Sequence, residues 1–292
     1  MTLSHEKADL VVVSGASTGL GAATSRALAA RGFHVLAGVR REQDGERLDQ
    51  ARIEPVILDI NRGEDIARLA ARVDSSGKRL HAIVNNAGMA ANAPVETLPL
   101  DDWRAVFDVN VFGAVALTQA LLPALRRDRG RVVNISSIGG KVAMPAFGAY
   151  SGSKFALEAI SDALRQEVAP HGVQVVIVEP GGMRTEMGAR GTAAAKAQLE
   201  RMTPQQREAY SGTMRAFLGY AAALDHTGLT ADKAARTVAS AITTPRPRTR
   251  YTIGREAAFL SRLVRFTPDR VLDRMIAQTL RSQSKDTATA AA

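Results

Sequence analysis

The stretch Tyr150-Ser151-Gly152-Ser153-Lys154 carries residue types that can move a proton. In a helix, Tyr150 and Lys154 stand one turn apart on one face. A phenol is a poor acid or base near neutral pH, because its unperturbed pKa is about 10. A neighbouring ammonium favours the phenolate and lowers that barrier. Ser137, thirteen residues before Tyr150, offers a hydroxyl to hold a carbonyl oxygen beside the phenol. Together these groups can pass a proton to or from a carbonyl. The hydride that completes such chemistry needs a cofactor.

The start of the chain supplies a place for one. Leu10 to Val13 is a short apolar run, read as a buried first strand. Ser14-Gly15-Ala16-Ser17-Thr18-Gly19-Leu20-Gly21 follows, then an Ala-rich helix over 22–31. Strand, glycine turn and helix in this order make a pyrophosphate cradle. The glycines let the backbone approach closely, and the helix N-terminus favours negative charge.

With these stretches in view, the chain resembles the classical short-chain dehydrogenase/reductase family. The glycine pattern T-G-x-x-x-G-x-G stands here with Ser14 in place of threonine. Asn85-Asn86-Ala87-Gly88 matches N-N-A-G, and Asn110 matches the family's helix asparagine. Ser137, Tyr150, Lys154 and the Pro180-Gly181 turn fall in the family's order and at its spacing, between about residues 9 and 187. More loosely, Leu36 to Arg40, Val178 to Gly181 and the Arg250-Tyr251 region resemble the 17β-hydroxysteroid and retinol dehydrogenase branch.

The resemblance implies roles. Tyr150 is the acid or base, and Ser137 orients the substrate oxygen, with Ser136 its rival. Lys154 lowers the Tyr150 pKa and binds the nicotinamide ribose. Asn110 holds a water that extends the proton path. Gly15, Ser17, Thr18, Gly19, Leu20 and Gly21 cradle the dinucleotide. Asp59 stands beside the adenine, Asn86 or Ala87 lines the adenosine side, and Ile60 and Gly88 belong to the cofactor site. Pro180, Gly181, Met183 and Thr185 flank the nicotinamide; Thr185 also reads as a helix N-cap with Gly188 nearby. Met89, Met144, Phe147, Met183 and Met187 fall on the substrate side, where methionine suits an adaptable apolar pocket. The looser resemblance to the hydroxysteroid and retinol dehydrogenase branch implies a bulky apolar ketone, aldehyde or alcohol of steroid, retinoid or lipid type.

The end of the second strand selects the cofactor. Val39-Arg40-Arg41 stands where NAD-preferring relatives place an acid for the ribose hydroxyls. An acid would repel a 2′-phosphate. Arg40 binds phosphate through paired charge-assisted hydrogen bonds, with Arg41 beside it. NADP(H) is the expected cofactor.

The wider pattern positions these groups. Strands are expected at 10–14, 33–38, 53–58, 80–84, 130–135, 173–178 and 249–253. Helices are expected at 19–31, 43–51, 62–74, 100–127, 152–169 and 231–243. This alternation argues one α/β doubly wound Rossmann domain over 1–292, with a mostly seven-stranded parallel sheet flanked by helices. Ligands then bind at the strand C-termini, where the glycine turn, Arg40, Asp59, Asn85, Ser137 and Pro180 all fall. Residues 185–230 are polar, Ala-rich and expected to be helical, and the family resemblance implies that they cover the substrate. Residues 245–283 form a basic extension, with Phe259, Leu260, Leu263, Val264 and Phe266 spaced along a helix face. Residues 284–292 read as a frayed tail.

Composition narrows the classes. With no cysteine there are no disulfides and no thiol catalysis. The five histidines are scattered, so no metal is expected. No apolar run reads as membrane-spanning, and the polar first nine residues do not read as a signal peptide, which suggests a cytoplasmic enzyme. Six of the +9 net charges lie between Pro245 and Ser284, from nine arginines against Glu256, Asp269 and Asp273. A solvated basic face explains these better than nucleic acid, since interleaved aromatics are not evident. The family's usual contacts through 100–127 and 152–169 imply a homodimer or homotetramer. A non-catalytic NADP(H)-binding sensor or structural protein is the alternative, disfavoured by the complete set of Asn110, Ser137, Tyr150 and Lys154. A peripheral membrane protein held through 256–266 is a third reading.

Overall fold

Short, wholly buried runs of β-branched residues set the centre of the molecule. The computed structural model describes residues 8–48 and 50–289, with backbone only at 225, 226 and 281–289. In chain order the first elements are β1 (Leu10–Val13), α1 (Gly19–Ala29), β2 (His34–Val39), α2 (Glu42–Glu46), β3 (Ile53–Ile57), α3 (Gly63–Ser75) and β4 (Leu80–Asn85). Next come α4 (Leu100–Phe107), a π-helical turn (Asp108–Phe112), α5 (Gly113–Asp128), β5 (Arg131–Ile135) and a 3₁₀ turn (Ile138–Gly140). Then follow α6 (Gly148–Val168), β6 (Gln174–Pro180), α7 (Glu186–Arg201), α8 (Pro204–Thr227), α9 (Ala231–Thr243), β7 (Arg250–Ile253), α10 (Arg255–Leu263) and α11 (Asp269–Thr289).

The seven strands form one parallel sheet in the order β3-β2-β1-β4-β5-β6-β7. Alternation along β1 sends its side chains to opposite faces. Val11 and Val13 pack towards α1 and α9, while Leu10 and Val12 pack towards α3 and α5. Burial on both faces is what an all-parallel sheet demands, and it explains the unbroken apolar runs. The order reverses beside β1, between β1 and β4, so a crevice opens at their C-terminal ends.

The expected strands are all present. Several helices differ from expectation. The helix expected over 43–51 stops at Glu46. The one expected at 152–169 begins at Gly148, so Tyr150 lies in its first turn. The run expected as one helix over 100–127 contains the π turn, which carries Asn110. That run, Leu100–Asp128, is long and apolar enough to cross a membrane by length and composition, contrary to the sequence expectation. In the fold it instead lies on the sheet, with Leu117, Leu121 and Leu125 buried.

Residues 185–230 fold as the pair α7 and α8. The basic extension holds β7, α10 and α11, and its expected apolar stripe does not form one buried face. Phe259 and Phe266 are exposed, and Leu260, Leu263 and Val264 are half-buried. Helix α11 continues through 284–289, where a frayed tail was expected; 290–292 lie outside the described residues.

Candidate active site

Ser137 leaves the end of β5 in extended conformation and caps the following 3₁₀ turn, its Oγ accepting from Gly139 N at 3.0 Å. Gly139 then lies between the two reacting groups. A Cβ there would sit 3.2 Å from Tyr150 Cε1 and 3.4 Å from Ser137 Oγ. The missing side chain lets the serine hydroxyl and the phenol ring converge. Ser136 takes the other direction, beside Gly140 and the Glu158 stem. Ser137 is therefore the serine that meets Tyr150.

Lys154 follows one turn along α6 and is buried. Its Nζ donates to the Ile135 carbonyl at 2.8 Å and lies 5.8 Å from the Tyr150 ring centroid. Burial brings its ammonium down to about 8, opposed by the Glu158 carboxylate. Tyr150 as a residue is half-buried, yet enough protein surrounds its hydroxyl for burial to push the phenol above its ordinary value. The neighbouring Ser137 hydroxyl pulls the other way. On balance the phenol stands above its ordinary value, because desolvation outweighs the Ser137 hydroxyl.

Asn110 is fully employed. Its Oδ1 accepts from Met89 N at 2.8 Å, and its Nδ2 donates to Met89 O and Ser153 Oγ, each at 2.9 Å. Ser153 Oγ passes the link to the Tyr150 carbonyl at 2.7 Å. These bonds fasten the loop after β4 to the start of α6. Sequence gave no hint of this, since both partners of Asn110 in the loop are backbone groups.

The glycine turn and the 85–88 loop form one unit. Ser14 Oγ accepts from the backbone N–H of both Asn86 and Ala87 at 3.1 Å and donates to Val84 O at 3.3 Å. Asn86 Nδ2 returns hydrogen bonds to the Ser14 and Gly15 carbonyls, each at 2.9 Å. The Asn86 side chain, expected to line the adenosine, is therefore consumed in the turn. Gly15 has φ 62°, and a Cβ on it would fall 2.7 Å from Ala87 Cα. A Cβ on Gly21 would fall 2.3 Å from the Gly15 carbonyl. No acid stands in the first turn of α1, and the Thr18 side chain makes no capping bond there. This glycine cradle, with backbone N–H groups at a helix N-terminus, fits a dinucleotide pyrophosphate. Across the cleft, Thr185 Cβ lies 3.9 Å from where a Cβ on Gly19 would stand. Leu20 is buried, whereas Ser17, Thr18 and Gly88 keep partial exposure.

At the end of β2 the two arginines part company. Arg41 is locked to Asp44 through Nε at 2.9 Å and Nη2 at 3.1 Å, and this pairing holds the Asp44 carboxyl below its usual range. Arg40 is exposed and forms no hydrogen bond or ion pair with another described residue. Val39, where an acid would stand, is buried and apolar. Asp59 is half-buried, with Oδ1 accepting from Asn61 N. Its backbone N–H donates to Asp65, a buried carboxylate that sequence reading missed; that bond holds Asp65 low. The Ile60 side chain lies in the core against Gly113 rather than in the cleft.

On the substrate side, Gly181 N donates to Ile253 O, tying the Pro180-Gly181 turn to β7. The Met183 backbone bridges to Leu229, and its half-buried side chain packs against the sheet core. Thr185 does cap α7, accepting from Gly188 N at 3.2 Å. Met89 packs in a small cluster with Ala91 and Leu98; Met144 and Met187 are half-buried. Phe147 is the best placed of these, edge-on to Tyr150 at 6.4 Å and to Phe217 and Tyr220 of α8 at 5.2 and 6.2 Å. Phe217 and Tyr220 were not foreseen, because only folding brings α8 over α6. Ala146, just before Phe147, holds a left-handed φ of 67°, a strained state of the kind that collects at functional sites.

Comparison with known proteins agrees with this arrangement. Residues 9–196 match the family model described as short chain dehydrogenase. The chain is 36% identical over 282 residues to human retinol dehydrogenase 16, covering 93% of this chain and 88% of that protein. It is 30% identical to the NADPH-dependent 3-dehydrocapnine reductase of Ornithobacterium rhinotracheale, with 94% and 98% covered. A Burkholderia cenocepacia short chain dehydrogenase solved with NADP superposes with TM-score 0.72 at 28% identity, over 94% of this chain and 98% of that one. A Burkholderia phymatum short chain dehydrogenase/reductase solved with NAD shares the fold with TM-score 0.74 at 22% identity, over 88% and 93%.

Proposed function

Because the chain belongs to the short-chain dehydrogenase family, a family of NAD(P)-binding oxidoreductases, we propose that it interconverts a ketone or aldehyde and an alcohol with NADP(H). The observation that carries this reading is the convergence of Ser137 and Tyr150 over Gly139, with Lys154 one turn behind. Bound in the cleft, NADPH supplies the hydride in reduction and NADP⁺ accepts it in oxidation. Ser137 holds the substrate oxygen beside the phenol. In reduction Tyr150 gives its proton to that oxygen, and in oxidation it takes one from the alcohol. A phenol kept protonated by burial suits the reductive direction. Lys154 keeps positive charge near the site, where it favours the phenolate left after transfer.

NADP(H) is preferred over NAD(H) because Arg40 is uncommitted at the end of β2 and Val39 offers no carboxylate to ribose hydroxyls. The NADPH-dependent reductase and the NADP-bound structure among the similar proteins support the same choice. For the substrate, the α7–α8 pair presents Phe217 and Tyr220 to Phe147, an aromatic wall beside Tyr150. Such a wall fits a bulky apolar carbonyl, and the likeness to a retinol dehydrogenase supports a retinoid-, steroid- or lipid-like compound. A screen of NADPH consumption over steroid ketones, retinal and aryl ketones tests both points. Turnover on apolar ketones, abolished in Tyr150→Phe, is the expected result. NADPH binding with no turnover on any carbonyl would instead favour a sensor role.

A further inference from the structure

We infer that Glu158 is a positioning residue for the proton-transfer pair, its carboxylate held by Lys141 and Arg250 so that Lys154 stays charged behind Tyr150. This rests on the reading of Tyr150 and Lys154 given above. Glu158 lies one turn beyond Lys154 on α6 and is buried. Its Oε2 accepts from Lys141 Nζ at 2.6 Å and from Arg250 Nη2 and Nε at 3.1 and 3.2 Å. Its Oε1 is buried and has no hydrogen-bond partner among the described residues.

The surrounding charges form a closed group. Glu179, also buried, lies 3.5 Å from Lys141 and 3.3 Å from Arg250, and accepts from Thr252 Oγ1 at 2.7 Å. Asp162 pairs with Arg250 at 2.7 Å and with Arg165 at 2.9 Å. Three cations therefore face three carboxylates, and the group is neutral without Lys154. Among the described residues, β5 brings Lys154 the Ile135 carbonyl, the 85–88 loop brings Gly88 near its Nζ, and its own helix brings Tyr150.

Buried ion groups are a poor way to gain stability, because desolvation offsets their attraction. The placement here points to position and charge. Lys141 follows Ser137 by four residues, Glu179 directly precedes Pro180-Gly181, and Arg250 lies on β7, whose Ile253 carbonyl receives Gly181 N. One carboxylate thus ties the serine loop, the catalytic helix and β7, the strand to which the Pro-Gly turn is bonded. Gly140 permits the approach, since a Cβ there would meet the Glu158 stem and the Lys154 carbonyl at 3.1 Å each. Burial pulls Lys154 down and the Glu158 carboxylate opposes that drop, the two together leaving it at about 8.

The test is the pH dependence of kcat/KM for carbonyl reduction, paired with nitrogen-15 NMR titration of the lysine side chains in the full chain. Glu158→Gln leaves three cations against two carboxylates, so both the alkaline fall in activity and the Lys154 titration should move down by about one pH unit. Lys141→Met removes a cation instead, so both should move up. A merely structural role would lower the rate in both variants without moving either midpoint, and that result overturns the inference. If Glu158→Gln does not fold, Lys141→Met alone decides, and an unmoved midpoint refutes it. Turnover that survives Tyr150→Phe would sink the proton-donor reading, while the Lys154 titration would still report on Glu158.

Discussion

Lys154 donates its hydrogen bond to the carbonyl of Ile135 at 2.8 Å, at the end of the strand that leads to Ser137. This contact joins the two halves of the proton machinery and places an ammonium where water is excluded. Its ordinary value of 10.5 falls to about 8. Carbonyl reduction should therefore hold steady near pH 7 and fall as pH rises through about 8, when Lys154 loses its charge. Stability follows the opposite course. Between pH 8 and 10.5 the unfolded chain holds the lysine proton that the folded chain has shed, so folding is favoured as pH rises. Denaturation of the wild type against Lys154→Met should show the wild type gaining up to about 3 kcal/mol relative to the variant across that range. A flat difference would show that Lys154 titrates normally.

Ser14 Oγ serves two backbone donors at once, those of Asn86 and Ala87. Ser14→Ala leaves both N–H groups without their acceptor and should cost about 2 kcal/mol in urea denaturation. NADPH affinity, read by fluorescence, should fall with it, because the same loop borders the glycine cradle.

Arg40 and Arg41 should behave differently although they are neighbours. Arg40→Ala should raise the NADPH KM about tenfold or more and leave the NADH KM nearly unchanged, the loss of charge-assisted bonds to one phosphate. Arg41→Ala should change both little, because its guanidinium is committed to Asp44. Equal effects of Arg40→Ala on the two cofactors would remove the basis for preferring NADP(H).

Phe217 is buried and edge-on to Phe147. Phe217→Ala should cost about 3 kcal/mol in thermal or urea unfolding. Under conditions where the variant stays folded, KM for a bulky apolar carbonyl should rise while KM for NADPH does not. A matched rise in both would mean that α8 supports the cofactor cleft and not the substrate.

The two arginines also illustrate what a sequence can and cannot disclose. Val39-Arg40-Arg41 at a strand end pointed to a phosphate, yet nothing in the string distinguished the free guanidinium from the one paired with Asp44. Asn86 and Asn110 were legible as positions but not as roles, because their partners are backbone atoms. The thirteen-residue interval to Tyr150 favoured Ser137 over Ser136, and the 3₁₀ turn with Gly139 leaves room for that serine to meet the phenol.

The sequence by itself determined the alternating strands and helices, the glycine turn, and the Tyr150–Lys154 pair. These depend on periodicity and on local backbone freedom, which neighbouring residues dictate. Only the tertiary structure decided that Lys154 is buried on Ile135, that Phe217 and Tyr220 stand over Phe147, and that Arg250 reaches Glu158 across 92 positions of chain. The strand order sets β5, β6 and β7 side by side. Burial and charge at the site follow from that packing, and electrostatic effects depend on distance through space, not along the chain.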